Sequence, residues 1–176
     1  AAKADLNEPA AGLADAVIAA RGEIVRRYEA VKAMAPSGAK TRIHGDYHLG
    51  QVIVAQSDLV IIDFEGEPSR SLEERRRKST PLRDVAGMLR SFDYAAAMAL
   101  AEWRDTHDVN ATDSSQKASA WHDRTRRQFL STYLDVIGET EQGAQLTAAL
   151  LDLFVLHKAV YEIGYELANR QTRCSR

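Results

Sequence analysis

Two short runs, Val52-Ile53-Val54-Ala55 and Leu59-Val60-Ile61-Ile62-Asp63, stand on either side of Gln56-Ser57-Asp58. Branching at Cβ stiffens χ1 and favours extended backbone, so two such runs around a polar spacer predict a β-hairpin. Apart from a short strand candidate at 41–44, the remaining periodic segments repeat at three and four residues. The chain therefore cannot build a large sheet. The reading is a mainly α (α+β) fold, helices with one small hairpin.

The first helix is expected over 12–34, where Leu13, Ala16, Val17, Ala20, Ile24, Tyr28 and Val31 recur at helical spacing. Ala35-Pro36-Ser37-Gly38 should stop it, because Pro disfavours a helical predecessor and Gly permits a tight exit. Residues 68–80 are charged, with few apolar anchors, and read as an exposed loop. Ser79-Thr80-Pro81-Leu82-Arg83-Asp84 opens a helix running to 104, with Pro81 suited to a first turn. A polar connector at 106–115 leads to two long helices, 116–137 and 145–169. Leu146, Leu150, Leu153, Phe154 and His157 form a stripe expected in the core.

The 176 residues suffice for one domain with a sizeable core. A net charge of −2 supplies no polyelectrolyte attraction to nucleic acid or a membrane surface. The run Glu73-Glu74-Arg75-Arg76-Arg77-Lys78 carries its own acids and no interleaved aromatics, so it reads as a solvated loop. Cys174 is the sole cysteine, which excludes an intrachain disulfide and a four-cysteine zinc site. No apolar run reaches the roughly 18 residues of a membrane span, and the first residues lack the layout of a signal peptide. A cytoplasmic protein is expected. The start at Ala1 rather than Met suggests a segment of a longer chain.

Chemistry concentrates in Arg42-Ile43-His44-Gly45-Asp46-Tyr47-His48-Leu49-Gly50-Gln51, just ahead of the hairpin. A three-residue turn would place Ala55 opposite Leu59 and Gln51 opposite Asp63, bringing two polar side chains together at the open end. One carboxylate and one amide oxygen suit Mg²⁺, which takes oxygen ligands and usually only one or two carboxylates besides substrate phosphates. Asp46, nearby, is placed to accept a proton from an attacking hydroxyl. The spacing matches phosphotransfer: His-x-Asp-x-x-x-x-Asn, a hairpin, then an Asp-Phe-Gly-type turn. His44-Gly45-Asp46, Gln51 and Asp63-Phe64-Glu65-Gly66 fill these places, the last with one insertion. Each half alone arises often by chance; the combination is specific.

His-Gly-Asp in this setting resembles the small-molecule kinases of the aminoglycoside and choline phosphotransferase group. The strings HGDYHLGQV, IDFEGEP and PLRDVAGMLRSFDYA resemble the maltokinase family, tightly over 42–97 and loosely elsewhere. That family carries Gln at the second metal position, in agreement with Gln51. The resemblance implies the C-terminal lobe of a protein-kinase-like fold, residues 1–176 forming one lobe. Asp46 would be the catalytic base, with Gln51 and Asp63 as Mg²⁺ ligands handling ATP. The implied reaction is phosphorylation of maltose to maltose 1-phosphate, which feeds α-glucan and trehalose metabolism, with trehalose synthase as a partner. No G-x-G-x-x-G loop and no strand lysine precede Arg42. A nucleotide-covering N-terminal lobe is thus expected as a missing partner, and the isolated piece is expected to be inactive.

Other residues carry two readings. His44 supports the loop in kinase-like folds rather than acting as a base. Asp84 suits a helix N-terminus through the dipole, and in kinase-like folds such an aspartate holds the catalytic loop. Lys158, Tyr161 and Tyr165 share one helical face, with Glu162 beside it. That face is either amphipathic packing or, as the resemblance implies, a sugar-binding wall. Two alternatives to maltose phosphorylation remain: a kinase for an amino sugar, aminoglycoside or choline-like acceptor, and a non-catalytic interaction module.

Overall fold

The computed structural model describes residues 8–34, 40–106, 111–138 and 141–173. In chain order they form α1 (Glu8–Ala19), α2 (Arg21–Ala33), a 3-10 turn (Leu49–Gln51), β1 (Val52–Ala55) and β2 (Asp58–Ile61). These are followed by α3 (Leu72–Arg76), α4 (Leu82–Thr106), α5 (Ala111–Ile137) and α6 (Glu141–Arg173). Cys174 and the expected Ala35–Gly38 stop lie outside the described residues.

The core is organised by α4. Its Leu82, Val85, Met88, Leu89 and Phe92 are buried at helical spacing, the pattern of a helix with one face turned inward. Phe129, Leu130 and Tyr133 of α5 pack against this face from one side; Leu150, Leu151, Phe154 and Val155 of α6 pack from the other. Phe92 meets Phe129 edge-on at 5.5 Å, the geometry that aligns a positive ring edge with a negative ring face. The expected α6 stripe is rotated slightly from its observed place. Leu151 is the buried α6 residue, and His157 lines a cavity rather than the core.

A polar strap ties the same three helices together. Arg90 of α4 gives Glu162 of α6 two hydrogen bonds, 3.2 and 2.7 Å, and reaches Asp93 at 2.8 Å. Asp93 in turn receives Arg126 of α5 at 2.9 Å and lies 2.6 Å from the His122 ring. Burial works against the Arg90 charge, but Glu162 and Asp93 outweigh it and hold the guanidinium above its ordinary range.

Several boundaries differ from the sequence expectation. The 12–34 helix forms as two segments, because Ala20 flattens to ψ −6° between them. Among the described residues, 41–44 make one bridge, Thr41 to Ser79, and no neighbouring strand extends it. The 68–80 loop contains α3, whose start is a reciprocal cap: the Ser71 hydroxyl accepts from the Glu74 amide and the Glu74 carboxylate accepts from the Ser71 amide. Residues 111–115 belong to α5, with Asp113 in its favourable first turn. The last helix reaches from Glu141 to Arg173, beyond the 145–169 expected.

The hairpin register also differs by one. Val52 pairs with Ile61 and Ala55 with Asp58, so the turn is Gln56-Ser57 and Asp58 belongs to the ladder. Gln56 takes φ 56°, and a positive φ in a two-residue turn is what matches the twist of paired strands. Gln51 consequently lies opposite Ile62, whose amide donates to the Gln51 carbonyl at 3.0 Å.

Beneath the 44–49 loop α4 passes at backbone contact. A Cβ added at Gly87 would lie 2.6 Å from the Tyr47 carbonyl oxygen, with no flexible side chain available to yield. Gly87→Ala is therefore expected to destabilise the protein by about 1–3 kcal/mol, the usual scale of overpacking. Melting temperature should fall roughly 2–4 °C per kcal/mol for a chain of this size. Calorimetry checks this; an unshifted transition would mean that the loop moves aside at no cost.

Candidate active site

One face of α4 holds the loop that carries Asp46. Asp84 accepts from the backbone amides of His44 at 2.7 Å and Gly45 at 2.9 Å. Gly87 lies under Tyr47, and the Ser91 hydroxyl accepts from the Leu49 amide at 3.0 Å. Positions 84, 87 and 91 fall at i, i+3 and i+7, so a single helical stripe fixes successive points of the loop. Burial, assisted by the Asp84 charge, pushes the Tyr47 phenol upward.

His44 closes the loop from the other side. It is buried, and its Nε2 lies 2.7 Å from the Ile62 carbonyl. That contact requires the proton on Nε2, leaving Nδ1 to accept the Asp46 amide at 3.4 Å. The ring packs against Tyr47 and Phe64 at 5.6 and 4.9 Å. Gly45, at φ 85°, approaches Gly66 so closely that a Cβ on it would lie 3.3 Å from the Gly66 Cα. The loop and the turn after β2 therefore touch backbone to backbone.

Gln51 and Asp63 meet despite the shifted register. Asp63 adopts φ 62°, in the left-handed region that Asp tolerates better than most residues, and this turns its side chain back. The Gln51 amide donates to the Asp63 carboxylate at 2.9 Å. One carboxylate and one amide at an open mouth are the donors a hard divalent cation takes when phosphate oxygens complete its shell. Among the described residues, no three His, Cys, Asp or Glu side chains cluster as a metal site.

Asp46 faces a different space, a cavity of about 170 Å³ that neither Gln51 nor Asp63 lines. From α6, Lys158 reaches Asp46 at 3.2 Å and Glu67 at 3.4 Å. The Tyr161 hydroxyl donates to Glu67 at 3.2 Å and lies 2.9 Å from the Ser69 hydroxyl. Burial lowers the Lys158 pKa, but Asp46 and Glu67 outweigh it and hold the ammonium above its ordinary 10.5. Two residues of the expected sugar-binding wall are elsewhere. Tyr165 is exposed and stacks on Tyr161 at 6.5 Å, outside the cavity lining; Glu162 belongs to the Arg90 strap.

Comparison with known proteins places this arrangement. Residues 2–116 match the model of the phosphotransferase enzyme family. The chain belongs to that family. Among its curated relatives is a glucosamine kinase of Streptacidiphilus jiangxiensis, 30% identical over 91 residues, covering 52% of this chain and 19% of that protein. Another glucosamine kinase, from Mycolicibacterium smegmatis (strain ATCC 700084 / mc(2)155), is 31% identical over 123 residues, covering 69% of this chain and 29% of that protein. A solved glucosamine kinase in complex with glucosamine, ADP and inorganic phosphate superposes with a TM-score of 0.72 at 24% identity. It covers 95% of this chain and 37% of that one. Crystal form A of a glucosamine kinase superposes at 0.74, with 24% identity and coverage of 95% and 38%. The helical architecture and its small hairpin are thus those of kinase-like glucosamine kinases. The chain spans less than a third of the length of these curated relatives.

Four residues around the cavity were not singled out in the sequence: Glu67, Arg70 and Arg83 line it, and Ser69 meets Tyr161. All four follow or flank recognised motifs, but only the folding of α6 onto the 66–79 segment gives them a common neighbour. Ser71 and Glu74 did carry a legible signal, the S-x-x-E spacing of a capping box.

Two outcomes follow. Asp84→Ala removes charged acceptors from two loop amides and should cost about 3–6 kcal/mol, at about 1.5–3 kcal/mol for each such bond. Hydrogen exchange at His44 and Gly45 should accelerate; retained protection would assign the clamp to other contacts. The Lys158 pairing is linked to pH through a folded pKa above the unfolded value. Its stabilisation is complete below 10.5 and is lost as pH rises through the higher folded value. The stability gap between wild type and Lys158→Met, followed by denaturant titration, should be flat near neutrality and shrink in strong alkali.

Proposed function

We propose that this chain is the catalytic and acceptor-binding lobe of an ATP-dependent small-sugar kinase. The observation that carries the reading is the pair of linked sites. Asp46 faces a cavity from a loop clamped by Asp84, while Gln51 and Asp63 are hydrogen-bonded at the adjoining hairpin mouth. Asp46 accepts the proton of the sugar hydroxyl as that oxygen attacks the γ-phosphorus of ATP. The bond from γ-phosphorus to the bridging oxygen breaks, and ADP leaves. Lys158 orients the Asp46 carboxylate through an ion pair at 3.2 Å. Gln51 and Asp63 would hold Mg²⁺, which neutralises charge on the phosphates when bound. Most of the rate then comes from positioning and preorganised charge.

The nucleotide must be covered by chain beyond these elements. An exposed apolar surface on the hairpin and the turn after it, including Ile53, Val54, Leu59, Val60 and Phe64, supports a docking face for that second lobe. Among the described residues no helix is long and apolar enough to cross a membrane.

The glucosamine kinase relatives favour an amino sugar as acceptor. The HGDYHLGQV and IDFEGEP strings favour maltose, and only that reading brings in trehalose synthase. Asp46→Asn in the full-length protein should lower kcat by about 10²–10⁴, the range of a lost general base, with little change in sugar KM. Unchanged transfer would remove the mechanism and leave a non-catalytic module. Competition between glucosamine and maltose for phosphoryl transfer from labelled ATP ranks the two acceptors.

A further inference from the structure

We propose that Arg70, Arg83 and His157 form an oxyanion subsite in the Asp46 cavity, holding a phosphate or carboxylate group carried by the sugar. The cavity wall carries six Lys or Arg side chains and four carboxylates. All four carboxylates are engaged. Asp46 and Glu67 are held by Lys158, Glu74 caps α3 through Ser71, and Asp84 holds the loop amides. Arg70, Arg83 and His157 make no side-chain hydrogen bond or salt bridge among the described residues. Arg83 instead lies over the Phe154 ring at 5.6 Å. The carboxylate that acts on Arg83, Asp84, is already engaged with the loop amides. A half-buried guanidinium without an anion of its own is costly, and a bound anion offsets that cost.

The electrostatics point the same way. Burial, then Arg70, lowers the Arg83 pKa, with Asp84 acting in opposition. Burial, then Arg83, Arg70 and Lys158, lowers that of His157. Three groups from the 66–71 segment, α4 and α6 therefore repel one another across one space until a negative ligand enters. Arg75, on the same wall, has a buried Nε without an acceptor. A volume of about 170 Å³ admits an anionic group together with part of a sugar ring. The anion subsite rests on these charges; only the identity of its carrier rests on the sugar-kinase reading.

The test uses the full-length protein with inorganic phosphate as probe, in wild type, Arg83→Met and Arg70→Gln. Circular dichroism establishes that each variant is folded, and Arg70, outside the core, supplies the second variant should Arg83→Met fail. Wild type should bind phosphate saturably by calorimetry, and the His157 ring resonances should titrate at higher pH once phosphate is bound. Each substitution should weaken binding roughly 10-fold, the scale of one lost charged hydrogen bond. Steady-state kinetics separates the sources of the anion. If the acceptor carries it, Arg83→Met raises KM for glucuronate but not for glucose. If the product carries it, the variant relieves inhibition by sugar phosphate. No saturable phosphate binding, or binding unchanged in both variants, overturns the subsite. Failure of the kinase reading is separate: Asp46→Asn would leave transfer intact while phosphate binding persists.

Discussion

The Asp84 carboxylate, set in the first turn of α4, is the contact on which the site depends. Two loop amides converge on its two oxygens, and both bonds are charge-assisted. Because α4 also carries the core, any force that holds the core holds the loop. Gly87 and Ser91 extend the same stripe, one by close approach and one by accepting the Leu49 amide. Asp46 is thereby fixed to the most buried helix, although its own segment has no regular secondary structure.

His44 couples this loop to the hairpin. Its imidazole spans from the Asp46 amide to the Ile62 carbonyl, one residue before Asp63. Asp46 and the residue at the hairpin mouth thus share a rigid link, although they face different spaces. This separation suits phosphoryl transfer, in which one end of the site handles phosphates and the other handles the acceptor. The cavity beside Asp46 is the more cationic of the two spaces, lined by six Lys or Arg side chains and four carboxylates.

Local chemistry was legible where it depended on few neighbours. The β-branched runs specified a hairpin, and Pro81 with its neighbours specified the start of α4. The register was less secure because Asp58 can close a three-residue turn or join the ladder, and the choice depends on whether Gln56 accepts a positive φ. Gln51 and Asp63 still met, since the left-handed Asp63 backbone compensates for the shift. Tyr165 and Glu162 lie outside the Asp46 cavity for another reason. Adjacent positions on α6 diverge by about 100°, so a small rotation of the helix decides which of them reaches a cavity.

The sequence by itself determined the mainly helical class, the hairpin, and the spacing of Asp46, Gln51 and Asp63, because each follows from backbone preference over short distances. Only the tertiary structure decided that Lys158 and Tyr161 would meet Asp46 and Glu67, that Glu162 would turn to Arg90, and that Arg70, Arg83 and His157 would face one cavity. Those meetings join residues from the 44–49 loop, the 66–79 segment, α4 and α6, far apart in the chain. They are set by how α6 docks on the α4 core, which no local pattern encodes.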